Sequence, residues 1–344
     1  MSLRELSEAF GPSGNEAAVR QIVLERIRPF VDEYRIDSIG NLIALKRGTG
    51  QSSRKVMVAA HMDEVGLMIV QVDRGGYLRF RPIGGIDPRV LLAKKVLIGD
   101  QRIPGVIGVK PVHLLDSKAR QQVMKVEDLS IDIGTMGEDD SGRAVKVGDY
   151  AVFDTHYEEL GPASRTVKGK ALDDRAGCAV LIELLRDRQA YDVYGVFTVQ
   201  EEVGLRGARV AAYSIAPDAA FVLEGTICDD LPKDKDQSPT TKLGDGPAIT
   251  VMDRSFIANQ SLVQLLLRTA EQNGIPCQLK QPGLGGTDAG AIHLSREGVP
   301  SVAVAVPVRY LHSPVSLLSL DDLDNTIRLM RLALPEVSSL SLAH

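Results

Sequence analysis

Short, unbroken apolar runs alternate with amphipathic stretches over most of this chain. Residues 56–60 (Val-Met-Val-Ala-Ala), 193–199, 219–224 and 299–307 are β-branched or small, too short for a comfortable helix, and read as buried strands. Between them a 3.6-residue period marks helices over 15–29, with Val19, Ile22, Val23 and Ile27 on one face, and over 175–187, 207–214, 255–273 and 321–333. A Gly-Pro-Ser-Gly turn precedes the first helix. A hairpin, roughly 34–36 and 42–46, turns at Gly40-Asn41. Strands alternating with helices define an α/β sheet domain.

The pattern changes between about 65 and 163. Strand-like pieces at 67–72, 77–81, 95–98, 105–109 and 150–153 are broken by Gly and Pro, with few helical stretches. This predicts a small β-rich domain (65–163) inserted into an α/β domain made of 1–64 plus 164–344; loop closure grows slowly with length, so such an insertion is tolerated. The stretch 229–242, rich in Pro, Lys and Asp, reads as a solvated loop.

The 344 residues suffice for two units with sizeable cores, and the formal charge of −5 gives no basic field for nucleic acid or an anionic membrane. No run approaches ~18 apolar residues, and the charged N-terminus lacks the apolar core of a signal peptide. Cys178, Cys228 and Cys277 are scattered, with neither metal-type spacing nor a disulfide framework. A reducing cytoplasm is the expected location.

Glu201 and Glu202 stand together where the run 193–199 meets a glycine-rich turn. On a buried strand successive side chains point to opposite sides, so the two are expected to face apart and hold different jobs, one on a metal and one on a proton. Such a pair also suits a glycoside hydrolase, but catalytic carboxylates there flank the scissile bond ~5–9.5 Å apart, which adjacent residues rarely achieve. His61-Met62-Asp63 follows the strand 56–60, and residues two apart on an extended segment face the same way, so Asp63 is placed to orient His61. A capped turn is the commoner explanation of that pattern alone. Asp173-Asp174 opens the helix 175–187, where acids ordinarily cap. Glu224 ends an apolar run, and His312 follows the last strand. His113, His156, His293 and His344 have no matching acids. What unites His61, Glu201, Glu202 and Glu224 is position just past a strand, where open α/β sheets bind ligands.

His61-Met62-Asp63-Glu64-Val65-Gly66, Leu172-Asp173-Asp174-Arg175, Glu201-Glu202-Val203-Gly204 and Arg309-Tyr310-Leu311-His312-Ser313 together resemble the dinuclear metallo-aminopeptidases of the glutamyl/deblocking type, including the tetrahedral aminopeptidases. Gly285-Gly286-Thr287-Asp288-Ala289 adds to the likeness, which spans nearly the whole chain. The resemblance implies a mixed sheet sandwiched by helices, as in zinc exopeptidases, with the inserted domain serving dimerisation. It implies two divalent ions, zinc or else cobalt or manganese, one held by His61, Asp173 and Glu224 and the other by Asp173, Glu202 and His312. Asp173 would bridge, Glu201 would be the general base, and the Asp173–Asp174 peptide bond would be cis. Several members carry aspartate where this chain has Glu224, one methylene longer. The implied activity removes N-terminal residues from peptides with a free amine; a related dipeptidase, carboxypeptidase or deacylase, or a non-catalytic homologue, are the alternatives. Dimers assembling into a dodecamer are implied as well.

Overall fold

The computed structural model describes residues 3–117, 119–161, 164–232, 240–281 and 285–342. His344 and residues 233–239 of the loop expected at 229–242 lie outside them. In chain order, β1 (Glu33–Ile36), β2 (Leu42–Lys46) and β3 (Lys55–His61) come first. Then β4 (Gly66–Val72), β5 (Leu78–Ile83), β6 (Lys95–Ile98), β7 (Ile103–Gly108), β8 (Ser130–Asp132) and β9 (Tyr150–Phe153) close into a barrel. The chain returns through β10 (Glu158–Leu160), β11 (Thr166–Gly169), β12 (Asp192–Thr198), β13 (Ala219–Ile227), β14 (Ala248–Thr250), β15 (Gln278–Lys280), β16 (Ser301–Arg309) and β17 (Ser316–Ser319).

These last strands join β1–β3 in an eleven-stranded sheet, whose main path runs β1-β2-β12-β3-β13-β16-β17-β11-β10, with β14 and β15 beside β16. The four central strands β12, β3, β13 and β16 are parallel, so their carboxyl ends share one edge. The flanking pairs are antiparallel, which makes the sheet mixed. The central strands are buried along nearly their whole length, as continuous apolar runs require.

Helices α1 (Leu3–Glu8), α2 (Ala17–Ile27), α3 (Glu138–Ala144), α4 (Leu172–Leu184), α5 (Arg206–Ile215), α6 (Gln260–Gln272), α7 (Ala289–Ile292) and α8 (Leu320–Ala333) complete the fold. The first two pack on α4, which lies on β3 and β13, while α5 and α7 pack together, α5 on β12 and α7 on β13 and β16. Helix α6 begins five residues later than the period predicts. Asn259 caps it, accepting from the Leu262 amide, while Asp253 gathers the amides of Ser255 and Phe256 into a turn.

The barrel has its own apolar cluster, built on Leu67, Ile69, Leu78, Val96, Ile107 and Ile131 and separate from the core of the large sheet. Its closure, β8 and α3 were not foreseen. The expected insert ran to 163, but the barrel ends at Phe153 and β10 already pairs with β11 on the large sheet. Among the described residues no helix is long and apolar enough to cross a membrane.

Candidate metal centre

The carboxyl edge of the parallel strands brings the separated acids and histidines together. His61 ends β3 and Glu224 sits within β13, not past its end as expected. Asp173 stands at the start of α4 with non-helical backbone, and the Asp173–Asp174 peptide is cis. Gly225 lets β13 approach: a Cβ there would lie 2.9 Å from Asp173 Cα. His312 follows β16 in the left-handed region, at φ +55°.

The two carboxylate oxygens of Asp173 face different histidines. Oδ1 lies 3.3 Å from His61 Nε2, and Oδ2 lies 3.4 Å from His312 Nε2. Glu224 Oε2 is 3.5 Å from His61 Nε2, and Glu202 Oε2 is 3.2 Å from His312 Nε2. Two groups result, His61/Asp173/Glu224 and Asp173/Glu202/His312, each offering ligand atoms within 4.8 Å of one another. Glu201 Oε2 is 4.0 Å from His61 Nε2, and among the described residues its carboxylate accepts no hydrogen bond.

Both histidines present the same nitrogen to the cluster. His61 Nδ1 donates to the Asp63 carbonyl at 3.1 Å, and His312 Nδ1 donates to the Gly85 carbonyl at 3.0 Å. A carbonyl only accepts, so each Nδ1 carries a proton and Nε2 is the nitrogen each ring turns to the carboxylates. The orienting of His61 by Asp63 therefore runs mainly through the backbone; the carboxylate Oδ1 is farther, at 3.5 Å.

That carboxylate has another task. It accepts from Ser13 Oγ at 2.6 Å and from the amides of Glu201 and Glu202 at 3.0 and 3.1 Å. The glutamates lie beyond β12, in a turn entered through Gln200 at φ +56°. Strand alternation therefore does not separate them: both line one cleft, and the turn sends Glu202 to His312 and Glu201 toward His61. Glu16, another buried acid, accepts the Gln200 amide at 3.2 Å.

Asp174 points elsewhere and caps α4, accepting from the Gly177 amide at 2.8 Å and the His61 amide at 3.2 Å. Asp288 accepts from Thr198 Oγ1 at 2.5 Å and donates its amide to Glu224 Oε1 at 3.4 Å. Sequence reasoning missed Ser13, Glu16 and the Gly85 carbonyl; the Gly-Pro-Ser-Gly turn and the Gly84-Gly85 pair were the only signals.

Charge is concentrated here. Burial lifts Glu224 to about 7 and Asp288 to about 6. Burial also holds Glu201 well above the usual carboxylate range, with the charge of Glu224 adding to it. For Asp173, burial is outweighed by hydrogen bonding with His312 and His61, which holds it below that range. Burial would keep His312 neutral, but its contacts with Asp173 and Glu202 lift it to about 10. A cluster of acids so placed wants positive charge among them.

A mixed α/β sheet carrying this cluster on its carboxyl edge matches aminopeptidases along nearly its whole length, which makes the chain a peptide hydrolase of the aminopeptidase class. Residues 40–329 match the family described as M42 glutamyl aminopeptidase, and the chain belongs to that family. It is 40% identical over 333 residues to a putative aminopeptidase of Acetivibrio thermocellus, covering 95% of this chain and 96% of the relative. It is 36% identical over 344 residues to the lysyl aminopeptidase of Pyrococcus furiosus, covering 97% and 96%. The solved TET aminopeptidase of a marine-sediment Thaumarchaeota archaeon superposes with a TM-score of 0.93 at 40% identity, covering 97% and 96% of the two chains. The TET1 peptidase of Pyrococcus horikoshii, which can assemble into a tetrahedron or a large octahedral shell, gives 0.85 at 37%, covering 97% and 98%.

Proposed function

We propose that the chain is a metal-dependent aminopeptidase in which His61, Asp173 and Glu224 hold one divalent ion and Asp173, Glu202 and His312 a second. The observation that supports this is the sharing of Asp173 between two histidines that both turn Nε2 toward its carboxylate, each with Nδ1 tied to a backbone carbonyl. The donor set fits: nitrogen and oxygen without thiolate suits zinc, cobalt or manganese. Three carboxylates offset most of the four positive charges, with neutral histidines completing the set. When bound, such ions acidify a water and polarise the scissile carbonyl.

Glu201 is the group we assign to the proton. It lines the cleft beside His61 and has no other partner among the described residues. It takes the proton of the attacking water and delivers it to the leaving amine. The Asp63 carboxylate holds the backbone of Glu201 and Glu202, so the base and a ligand keep a fixed relation. The abundance of acid in the cleft suits a substrate's free α-amine, which favours action from the N-terminus. A glycosidase is disfavoured, because both glutamates lie on one wall rather than flanking a bond. We further propose a homo-oligomer built through the barrel domain, in line with the assemblies of the Pyrococcus horikoshii relative.

The test is turnover of aminoacyl, N-acetylated and C-terminally scissile peptide substrates, with metal content measured on the same sample. Free-amine substrates should be the ones cleaved, with two ions per chain. Chelation should abolish turnover and lower the melting temperature, since an ion bound only by the folded state stabilises it. Equal cleavage of acetylated peptides, or full activity without metal, would refute the reading.

A further inference from the structure

Residues 11–16, Gly-Pro-Ser-Gly-Asn-Glu, precede the stretch that matches the family and belong to neither ligand group. They reach the chemistry nonetheless. The turn is pinned to the segment after β3: the Gly11 carbonyl accepts from the Glu64 amide at 2.9 Å, and the Ser13 amide donates to the Glu64 carbonyl at 3.3 Å. Gly14, at φ +91°, lies against the barrel, where a Cβ would come within 2.8 Å of Tyr150 Oη in β9.

Glu16 closes this turn. It is 4% exposed and occupies the N-cap position of α2, where an acceptor side chain ordinarily takes an amide of its own helix. It makes no such bond. Its Oε1 instead accepts from the Gly14 amide at 2.7 Å and, 184 residues away, from the Gln200 amide at 3.2 Å.

Gln200, two residues past β12, has φ +56°, a conformation that a non-glycine residue keeps only where its surroundings hold it. Both of its backbone groups are held, the amide by Glu16 and the carbonyl by the Arg206 amide at 3.2 Å. The next two amides, of Glu201 and Glu202, go to Asp63. Two carboxylates from outside the turn thus take three consecutive amides. The one bound by Glu16 lies directly before the residue that faces His61. Without Glu16 the left-handed residue loses a support, and the extended path that would carry Glu201 away from His61 is favoured.

Resting on the assignment of Glu201 as general base, we propose that Glu16 is a positioning residue for the reaction: it holds Gln200 left-handed and so sets the place of the Glu201 carboxylate beside His61. Glu16 does not line the cleft, so its effect passes through the backbone of the turn. One oxygen takes both amides, so the acceptor and not the charge carries the role.

The test is a double-mutant cycle on the metal-loaded full chain, with Glu16→Leu made alone and together with Glu201→Gln, and kcat and KM measured on an aminoacyl anilide. Glu16→Leu alone should lower kcat roughly 10- to 100-fold, as a base displaced by about 1 Å would, with KM within about twofold and metal content unchanged. In the Glu201→Gln background the same substitution should cost less than about twofold, because the group it misplaces is already gone. Glu16→Gln keeps the accepting oxygen and should hold kcat within about threefold of the wild type. Glu16→Asp keeps the charge but falls a methylene short of Gln200; it should show the same background-dependent loss, and it carries the cycle if Glu16→Leu does not fold. A general structural defect would lower kcat by the same factor in both backgrounds. That result overturns the proposal, as do loss of metal in Glu16→Leu and a Glu16→Gln variant as impaired as Glu16→Leu. The two readings fail separately: normal turnover of Glu201→Gln discards the general base itself, whereas equal losses in both backgrounds discard only the positioning by Glu16.

Discussion

The Asp63 carboxylate sits 2.6 Å from Ser13 Oγ and 3.0 and 3.1 Å from the amides of Glu201 and Glu202. Every donor around it points inward, so it works as a pure acceptor. Asp63→Asn would turn an NH2 toward one of those donors. We expect a loss of about 1–3 kcal/mol in stability by urea titration, and a fall in kcat from displacement of the glutamates. Glu201→Gln is expected to behave differently. It keeps the shape of the side chain and no ligand atom, so both metals should remain by elemental analysis while kcat drops by roughly 10²–10⁴-fold. Normal turnover in that variant would end the general-base assignment. His61, the two glutamates, Glu224 and His312 stood out because each follows or ends an apolar run, and Asp173 because a doubled acid opens a helix; their grouping into two ligand sets came from the family resemblance. The residues that support them did not stand out. Asp63 meets Glu201 across 138 residues and His312 meets Gly85 across 227, distances over which spacing carries no signal. The opposed facing of Glu201 and Glu202 assumed a continuing strand, which the left-handed Gln200 interrupts.

Strands and helices hold this edge together by a buried charge network that no periodicity announces. Glu64, just after β3, accepts from Lys170 Nζ at 2.7 and 2.8 Å, from Arg175 Nη2 at 3.3 Å and from the Gly11 amide at 3.1 Å. Arg175, fully buried at the head of α4, also donates to the carbonyls of Leu6, Ala9, Gly11 and Met62. Helix α1, the turn before α2 and the start of α4 are thereby clamped beside His61 and Asp173. Glu64→Gln removes the only carboxylate among the described residues that pairs with either buried cation. Breaking a buried pair from one side is strongly unfavourable, so we expect about 3–5 kcal/mol of destabilisation in urea unfolding. A loss under 1 kcal/mol would show that solvent already relieves these charges. The apolar runs foretold β3, β12, β13 and β16 because central parallel strands are apolar on both faces. Helix α6 was overextended because the Asp253 turn and the Asn259 cap lie inside a stretch of helix-compatible residues.

The barrel and the large sheet meet at the chemistry. Gly85, on the barrel side of the junction, supplies the carbonyl that fixes His312, and Gly84 packs against Glu202. At Gly84 φ is +82°, and a Cβ would lie 2.8 Å from Val65 Cγ1 and 3.3 Å from Glu202 Cβ. Gly84→Ala should therefore lower kcat and metal affinity while both cores survive, read by elemental analysis beside circular dichroism. The connection between β7 and β8 of the barrel carries exposed apolar side chains, among them Val112 at 55%, Leu114 at 65% and Val123 at 63%. Apolar groups left in water at this density are the expected mark of a surface covered by another chain. Every candidate ligand, the proposed base and both histidine-orienting carbonyls lie in one chain, so the proposed ligand set is complete without a neighbour. Assembly and catalysis should then separate. Val112→Asp with Leu114→Asp buries two charges in the proposed contact, and sedimentation should show a smaller species than the wild type. Turnover of a short aminoacyl anilide per chain should stay within about twofold, since the substitutions leave the cleft and Gly84-Gly85 untouched. An unaltered sedimentation coefficient would remove the barrel from the interface, and activity lost in step with assembly would mean that a neighbouring chain completes the site.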